Sequence, residues 1–379
     1  MHRLAVIGDI HISARSKRTE HVLEVLDWVI DDGQKRGVTG WIFAGDLCEG
    51  SPTGTEEEMF TSRMSQMLKT GLVGIALGNH EAADAMAWLK HFPGVTFASD
   101  CMATMPYKDV AVQLIPYPRR GHPPFDDLQD DGTIQGSLAA GRQRLLDLVT
   151  QGAVLAEGLP RIIVGHFTIE GMYTRDTSFE LHTAREVIAP LTAFARDTTV
   201  VGVGGLIRHD FAEAEDYKSY TVVSIEDGAP AELLAVLVGH VHKAQMVQPG
   251  ARTTMLETVP VPAKEMLVVS VTRPEEIHQY VAQAEGREVK ITVEMRDDER
   301  AVWTPDVYAP LEAVAASIDV DPKVISTQRV RAPEMAKADR LRDQVQAWLN
   351  ATDMDVSEEQ RARIFLKSDE VEAQTLVTQ

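Results

Sequence analysis

Residues 4–11, LAVIGDIH, decide the fold: Leu4 to Ile7 run without a polar break into Gly8, Asp9 and His11. Such a run is too short for a membrane span and too uniformly apolar for a half-exposed strand. It reads as a strand buried on both faces, of the kind found in sheets covered by helices. The strand delivers an aspartate and a histidine, two residues apart, at its carboxyl end. The same grammar returns four times. WIFAGDLCE (41–49) carries Asp46, GIALGNHE (74–81) carries Asn79 and His80, IIVGHF (162–167) carries His166, and AVLVGHVH (235–242) carries His240 and His242. Each time a buried strand reaches a glycine and then a carboxylate, amide or imidazole.

In open α/β sheets ligand sites collect in the loops at the carboxyl ends of the strands, and glycines there let groups approach closely. Gathered together, the set holds Asp9, Asp46, Asn79 and five histidines. Mixed oxygen and imidazole donors suit Mn, Fe or Zn better than calcium, and no thiolate is needed. There are too many donors for one ion. Two divalent metals bridged by a shared carboxylate is the economical arrangement. Such a pair can bind a phosphate, activate a water for in-line attack and stabilise the leaving oxygen.

In this order, GDIH, GD, GNHE, GH and GHVH resemble the calcineurin-like metallophosphoesterase signature. The resemblance implies a two-sheet α/β sandwich flanked by helices. It implies that Asp9, His11 and His242 hold one metal, that Asn79, His166 and His240 hold the other, and that Asp46 bridges them. His80 matches the acid that protonates the leaving oxygen, a role an imidazole can fill near neutral pH. Several further stretches resemble the SbcD type, the nuclease subunits of DNA double-strand-break processing complexes. These are GDLCEGSP, LIPYP, VGHFTIEG, GHVHKAQ and IRHDFAEAEDYKSYTVVSIEDG. This resemblance covers roughly residues 1–250. It implies an Mn-dependent DNA nuclease, with Mg, Fe or Zn as other metals. It also implies a homodimer built on helices near 56–92. Two departures stand out. Glu49 occupies a position where that family commonly has a second histidine, and the stretch 202–228 precedes the GHVH motif instead of following it.

A net charge of −20 opposes a polyanionic substrate unless positive charge is concentrated locally. Two divalent ions would offset about four charges at the site. Arg15 and Arg18 follow the first motif, and Arg119, Arg120 and His122 lie in PYPRRGHPP; with Glu49, these are the candidate substrate-binding residues. His2, His21, His91, His182, His209 and His278 lack strand-end context and read as surface or core histidines. Cys48 and Cys101 give neither a disulfide framework nor a thiolate metal site, and Cys48 reads as packing. The chain enters a strand directly, without a signal peptide, and no apolar run reaches the roughly 20 residues of a membrane span. A cytoplasmic protein, bacterial or phage-encoded in a bacterial host, is expected.

Between the motifs the pattern alternates strand and helix, which predicts crossover helices on the sheet faces. Thr19 is expected to cap a helix with an apolar stripe of Val22, Leu26, Val29 and Ile30, ended by Gly37. Further helices are expected near 56–69, 83–92 and 136–157, with strands at 41–45, 72–77, 95–98 and 109–115. Met59, Met64 and Met67 should fill core. The expected division is a catalytic domain over 1–262, a small α/β capping domain over 263–331, and a charged helical region over 332–379. That last region, with Met335, Leu341, Val345 and Leu349 on one helix, is where the resemblance implies docking of an SbcC-like ATPase. Alternatives to a nuclease are a small-substrate phosphodiesterase or phosphatase, because the motifs define the reaction and not the substrate. A non-catalytic scaffold is disfavoured, since His80 and all seven ligand positions are present.

Overall fold

The computed structural model describes residues 1–119, 122, 124, 125, 133–156, 158–172, 188–240, 243–251, 255–324, 340–351 and 357–377. His242, Arg120, His182 and Met335, singled out above, lie outside the described residues.

The chain opens with β1 (His2–Ile7), α1 (Thr19–Lys35), β2 (Gly40–Phe43), α2 (Gly54–Met67), β3 (Leu72–Ala76) and β4 (Val95–Ala98). Next come β5 (Ala103–Tyr107), β6 (Val110–Ile115), α3 (Ile134–Leu155) and β7 (Arg161–Gly165). The short strands β8 (Thr168–Ile169) and β9 (Ile188–Ala189) pair with each other. They are followed by β10 (Thr199–Gly202), β11 (Ser219–Ile225), β12 (Leu233–Val238), β13 (Gln245–Gln248) and β14 (Leu256–Pro260).

Two six-stranded sheets form, in the orders β14-β11-β1-β2-β3-β4 and β13-β10-β12-β7-β6-β5. In the first, β1 to β4 run parallel, and β11 lies antiparallel to β1 with Leu4 opposite Val223. In the second, β10, β12, β7 and β6 run parallel. Apolar side chains from both sheets, including Leu4, Val6, Ile42, Val112, Val164 and Leu237, make one buried core between them. Two more cores lie outside the sandwich. One packs Val22, Leu26, Val29 and Ile30 of α1 and Phe60, Met64 and Met67 of α2 against Ile7, Trp41 and Phe43. The other packs Leu145 and Leu148 of α3 against Ile163 and Val236. Strands covered on both faces explain why their sequences read as unbroken apolar runs. The methionines of α2 are core, and Cys48 is buried beside them.

The displaced order of residues 202–228 has a topological account. After β10 the chain leaves the second sheet, crosses to the first through a bridge between Gly205 and Gly8, and adds β11 beside β1. It then returns as β12, between β10 and β7. The strand that ends in His240 is therefore a central parallel strand, and its carboxyl end lies beside that of β7.

Local expectations needed correction in two places. Thr19 is the first residue of α1 and caps nothing; its hydroxyl donates to the Ser13 carbonyl, and its oxygen accepts the Ser13 N–H at 3.3 Å. It thus closes the loop that follows the first motif. The helix expected near 83–92 reduces to a 3-10 turn, Ala87–His91. By contrast, Glu56 at the start of α2 accepts the Thr53 N–H at 2.7 Å, as in a capping box, and also the Ala14 N–H at 2.6 Å.

In the last third, β15 (Met266–Val271), β16 (Glu288–Met295) and β17 (Ser317–Val324) form a third sheet in that order. The chain divides into two compact units, residues 1–269, 280–290 and 311–319 in one, and 270–279, 291–310 and 320–379 in the other. Within the second, helices Leu341–Ala351 and Glu358–Val377 pair, with Arg342 stacked 5.1 Å from the Phe365 ring centre. No helix among the described residues is long and apolar enough to cross a membrane.

Candidate metal centre

Five non-glycine residues among those described have left-handed backbone: Asp9 (φ 43°), His11 (48°), Asp46 (49°), Lys108 (53°) and His240 (65°). Four of the five are strand-end residues expected to bind metal. A side chain in this region is strained by about 1–3 kcal/mol and persists only where its surroundings hold it. Here the holding is mutual. The Ile10 and His11 N–H groups both donate to the Asp46 carbonyl at 3.0 Å. The His240 N–H donates to Asp9 Oδ1, and the His80 N–H to Asp46 Oδ1, each at 3.1 Å.

The shared grammar of the strand ends brings six donors together from both sheets. Asp46 Oδ2 lies 3.2 Å from His166 Nε2 and 3.8 Å from His11 Nε2. Asn79 Oδ1 lies 2.8 Å from His166 Nε2 and 2.9 Å from His240 Nδ1. Three groups have donor atoms within 4.8 Å of one another: Asp9, His11 and Asp46; Asp46, His166 and His240; and His11, Glu49 and His80. Asp46 belongs to the first two, which is the position a bridging carboxylate needs.

Two observations show that this donor set fits cations. First, His166 Nδ1 lies 2.7 Å from the Ala44 carbonyl, so it carries the proton, and a neutral ring then turns a bare Nε2 towards the oxygens of Asn79 and Asp46. Acceptors facing acceptors at this range require a positive charge among them. Second, Asp9 is 1% exposed, and its Oδ2 has no hydrogen-bond partner among the described residues. A buried carboxylate oxygen without a donor is costly. Two divalent cations answer both needs.

Without a cation, the charge is supplied by protons. Burial alone would lower the basicity of His166, but the Asp46 carboxylate outweighs it and holds the imidazole up at about 9. Burial would likewise raise Asp46; His166, then His11 and His80, instead hold it well below the usual carboxylate range. Glu81, next in sequence, is buried and accepts the Cys48 and Gly78 N–H groups at 2.9 and 3.2 Å. Burial, with Asp46 adding to it, pushes its carboxyl up to about 7.

Glycines keep the donors this close. A Cβ on Gly45 would stand 2.2 Å from His166 Nδ1, and one on Gly78 would stand 2.0 Å from Asp46 Oδ1. Their role is to let ligand side chains of the two sheets pass each other.

His80 has one third of its side chain exposed, with Nε2 3.9 Å from Asp46 Oδ2. It borders the cluster from the solvent side. The basic residues divide. Arg119 donates to the Asn79 carbonyl and so belongs to the site. Arg18 is engaged within the fold: its guanidinium donates to the Arg208 carbonyl at 2.6 Å and pairs with Glu288 at 2.8 Å. Arg15 and His122 are exposed. Two further residues reach the site. The Tyr117 ring, from LIPYP, lies 5.5 Å from that of His240. His209, read from sequence as an ordinary histidine, packs edge-on against His11 at 4.8 Å. Nothing in its immediate sequence signals this, because the Gly8–Gly205 bridge is what brings it there.

The Calcineurin-like phosphoesterase family model matches residues 2–205. No curated protein matches the chain. Among solved structures the chain is similar to a dimetal phosphatase from Danio rerio, with 10% identity and a TM-score of 0.34, over 65% of this chain and 98% of that one. The family match covers four of the five strand-end motifs, and the geometry adds His240 from beyond it. With a match over more than half of its 379 residues, the chain belongs to the calcineurin-like phosphoesterase family.

Proposed function

We propose that this protein is an Mn-dependent DNA nuclease that hydrolyses phosphodiester bonds as the nuclease subunit of an SbcCD-like processing complex. The observation that carries phosphoester hydrolysis is the convergence of Asp9, His11, Asn79, His166 and His240 on a shared Asp46, with His80 beside it. The narrowing to a nuclease is supported by the SbcD-like stretches around these residues.

In this reading Asp9 and His11, with His242, would hold one cation. Asn79, His166 and His240 would hold the second, with Asp46 shared by both sets. When bound, the two ions supply positive charge for the phosphate and activation of the attacking water. The chain's own residues do the rest. The Ala44 carbonyl fixes the His166 tautomer, and Arg119 anchors the main chain at Asn79. As the oxygen of water bonds to phosphorus and gives up a proton to solvent, the bond to the leaving oxygen breaks, and His80, as the imidazolium, donates a proton to that oxygen.

An SbcC-like ATPase is proposed to dock on the paired helices Leu341–Ala351 and Glu358–Val377, where Leu366 is 63% exposed. A homodimer through the α2 region is proposed on the resemblance alone.

A second reading, a small-substrate phosphodiesterase or phosphatase, draws support from the net charge of −20 and from the engagement of Arg18 with Glu288. Both weaken attraction for a long polyanion. The test is cleavage of end-labelled linear DNA with Mn by wild type and His80→Ala, with bis-(p-nitrophenyl) phosphate alongside. DNA cleavage that is lost in the variant supports the nuclease. Turnover of the model diester with DNA untouched transfers the site to a small substrate. No hydrolysis of either removes both readings.

A further inference from the structure

Glu49 is the position where the chain departs from the SbcD-type pattern, and the chemistry proposed above gives it no part. Its carboxylate nevertheless spans two imidazoles. Oε2 lies 3.0 Å from His11 Nδ1, and Oε1 lies 3.5 Å from His80 Nδ1. Both rings present the other nitrogen, Nε2, to the same atom, Asp46 Oδ2, at 3.8 and 3.9 Å. The two rings also pack edge-on, 4.8 Å apart at 85°, and His209 packs on His11 from another side at 74°. These ring contacts fix the planes. They do not decide which nitrogen carries the proton.

We infer that Glu49 is a positioning residue whose carboxylate accepts from Nδ1–H of both His11 and His80, locking the two rings in one tautomer. The inference rests on the proposed metal-dependent hydrolysis and gives that same site a further part. A neutral imidazole has one donor and one acceptor nitrogen, and the partner of one nitrogen sets the state of the other. With Nδ1–H on Glu49, the lone pair of His11 Nε2 is directed at the Asp46 side, where a ligand atom is required. His80 donates as the imidazolium: Nδ1–H stays on Glu49, and the proton given to the leaving oxygen is the one on Nε2, the nitrogen facing the cluster. A histidine at position 49 could accept from one ring at most, whereas a carboxylate has two oxygens and serves both.

The side chain of Glu49 is 55% exposed, so replacing it leaves the core intact. The experiment uses the full chain labelled with 15N-histidine, as wild type, Glu49→Gln and Glu49→Ala, with Glu58→Gln as an exposed acidic control. Long-range 1H–15N correlations at pH 8 read the tautomers of His11 and His80. The bound-metal stoichiometry with Mn and the kinetics on bis-(p-nitrophenyl) phosphate are measured on the same proteins. Wild type is expected to show Nδ1–H at both rings, Glu49→Ala a mixture, and Glu49→Gln loss at one ring or both. The variants are expected to lose roughly 10–100-fold in kcat, with KM within about twofold. Unchanged tautomers in Glu49→Ala overturn the inference. So does loss of a bound cation in Glu49→Gln, which would make Glu49 a ligand, or an equal kcat loss in Glu58→Gln. If wild type hydrolyses nothing, the proposed function fails while the tautomer spectra still decide the role of Glu49.

Discussion

Asp46 and His166 meet across the sandwich: one follows β2 of the first sheet, the other ends β7 of the second, and Asp46 Oδ2 lies 3.2 Å from His166 Nε2. Neither sheet holds a complete donor set. The centre exists only where the carboxyl ends of the parallel strands of both sheets come together, so its geometry depends on how closely the sheets approach.

Gly45 sets that approach. It has φ +96°, and a Cβ there would stand 2.2 Å from His166 Nδ1. Gly45→Ala is expected to destabilise the chain by about 1–3 kcal/mol, as for a side chain forced into a glycine-only conformation, and to reduce Mn affinity at least tenfold. Gly54→Ala, with nothing within 4 Å, should leave both unchanged. Chemical denaturation with and without Mn, together with calorimetric Mn titration, checks both.

The same pair links metal binding to protons. His166 is held up at about 9, above the ordinary 6.5 of a free imidazole. Its contribution to the stability of the metal-stripped protein is therefore fully present below pH 6.5 and lost as pH rises through 9. Asp46, held low, contributes above the usual carboxylate range and loses its contribution only in strong acid. Tm of the chelated protein is expected to fall between pH 6.5 and 9, while Mn affinity rises over that window because the ligand must be neutral. Calorimetry in buffers of differing ionisation enthalpy should show about one proton released per chain at pH 7 from this group. No release would mean that His166 is already neutral.

The cluster of donors was legible because each strand, buried on both faces, leaves an unbroken apolar run that stops at a polar donor. Asp9, Asp46, Asn79 and His166 all carry that signature, and the structure brings them together. What pattern could not supply is long-range placement. His209 reaches His11 only through the crossing of residues 202–228 to the first sheet, which leaves no local trace. The cations after the first motif looked like a rim because loop arginines usually face solvent, yet Arg18 is tied to Glu288, 270 positions further on. β5 and β17 escaped notice because each carries a proline and interrupts its apolar residues with polar ones.

Arg18 offers a direct check on that point. With its guanidinium shared between the Arg208 carbonyl and Glu288, it is a structural tie. Arg18→Ala is expected to cost about 1–3 kcal/mol in urea denaturation, the range for hydrogen bonds to a charged group, and to leave KM for a diester within twofold. Arg119→Ala should behave oppositely, since it releases the main chain at Asn79: little stability lost, and weaker Mn binding. A large rise in KM for Arg18→Ala would restore it to the substrate rim.

Lys218 gives the strongest stability prediction. It is 3% exposed, 2.6 Å from Glu213 and 4.0 Å from Asp216, which are themselves buried. Glu213 also accepts the His209 N–H at 3.2 Å, so this ion cluster anchors the segment that carries His209 to His11. Lys218→Met removes a buried cation from beside two buried carboxylates. The expected loss is about 3–5 kcal/mol, the usual consequence of removing one partner of a buried ion pair. Pairing it with Glu213→Gln keeps an acceptor for His209 and removes one of the two buried carboxylates. The double variant should therefore recover at least about 1 kcal/mol over Lys218→Met, the signature of coupled neighbours. If urea denaturation instead shows additive losses, the cluster is not the anchor of this segment, and the edge contact on His11 must be held by the Gly8–Gly205 bridge alone.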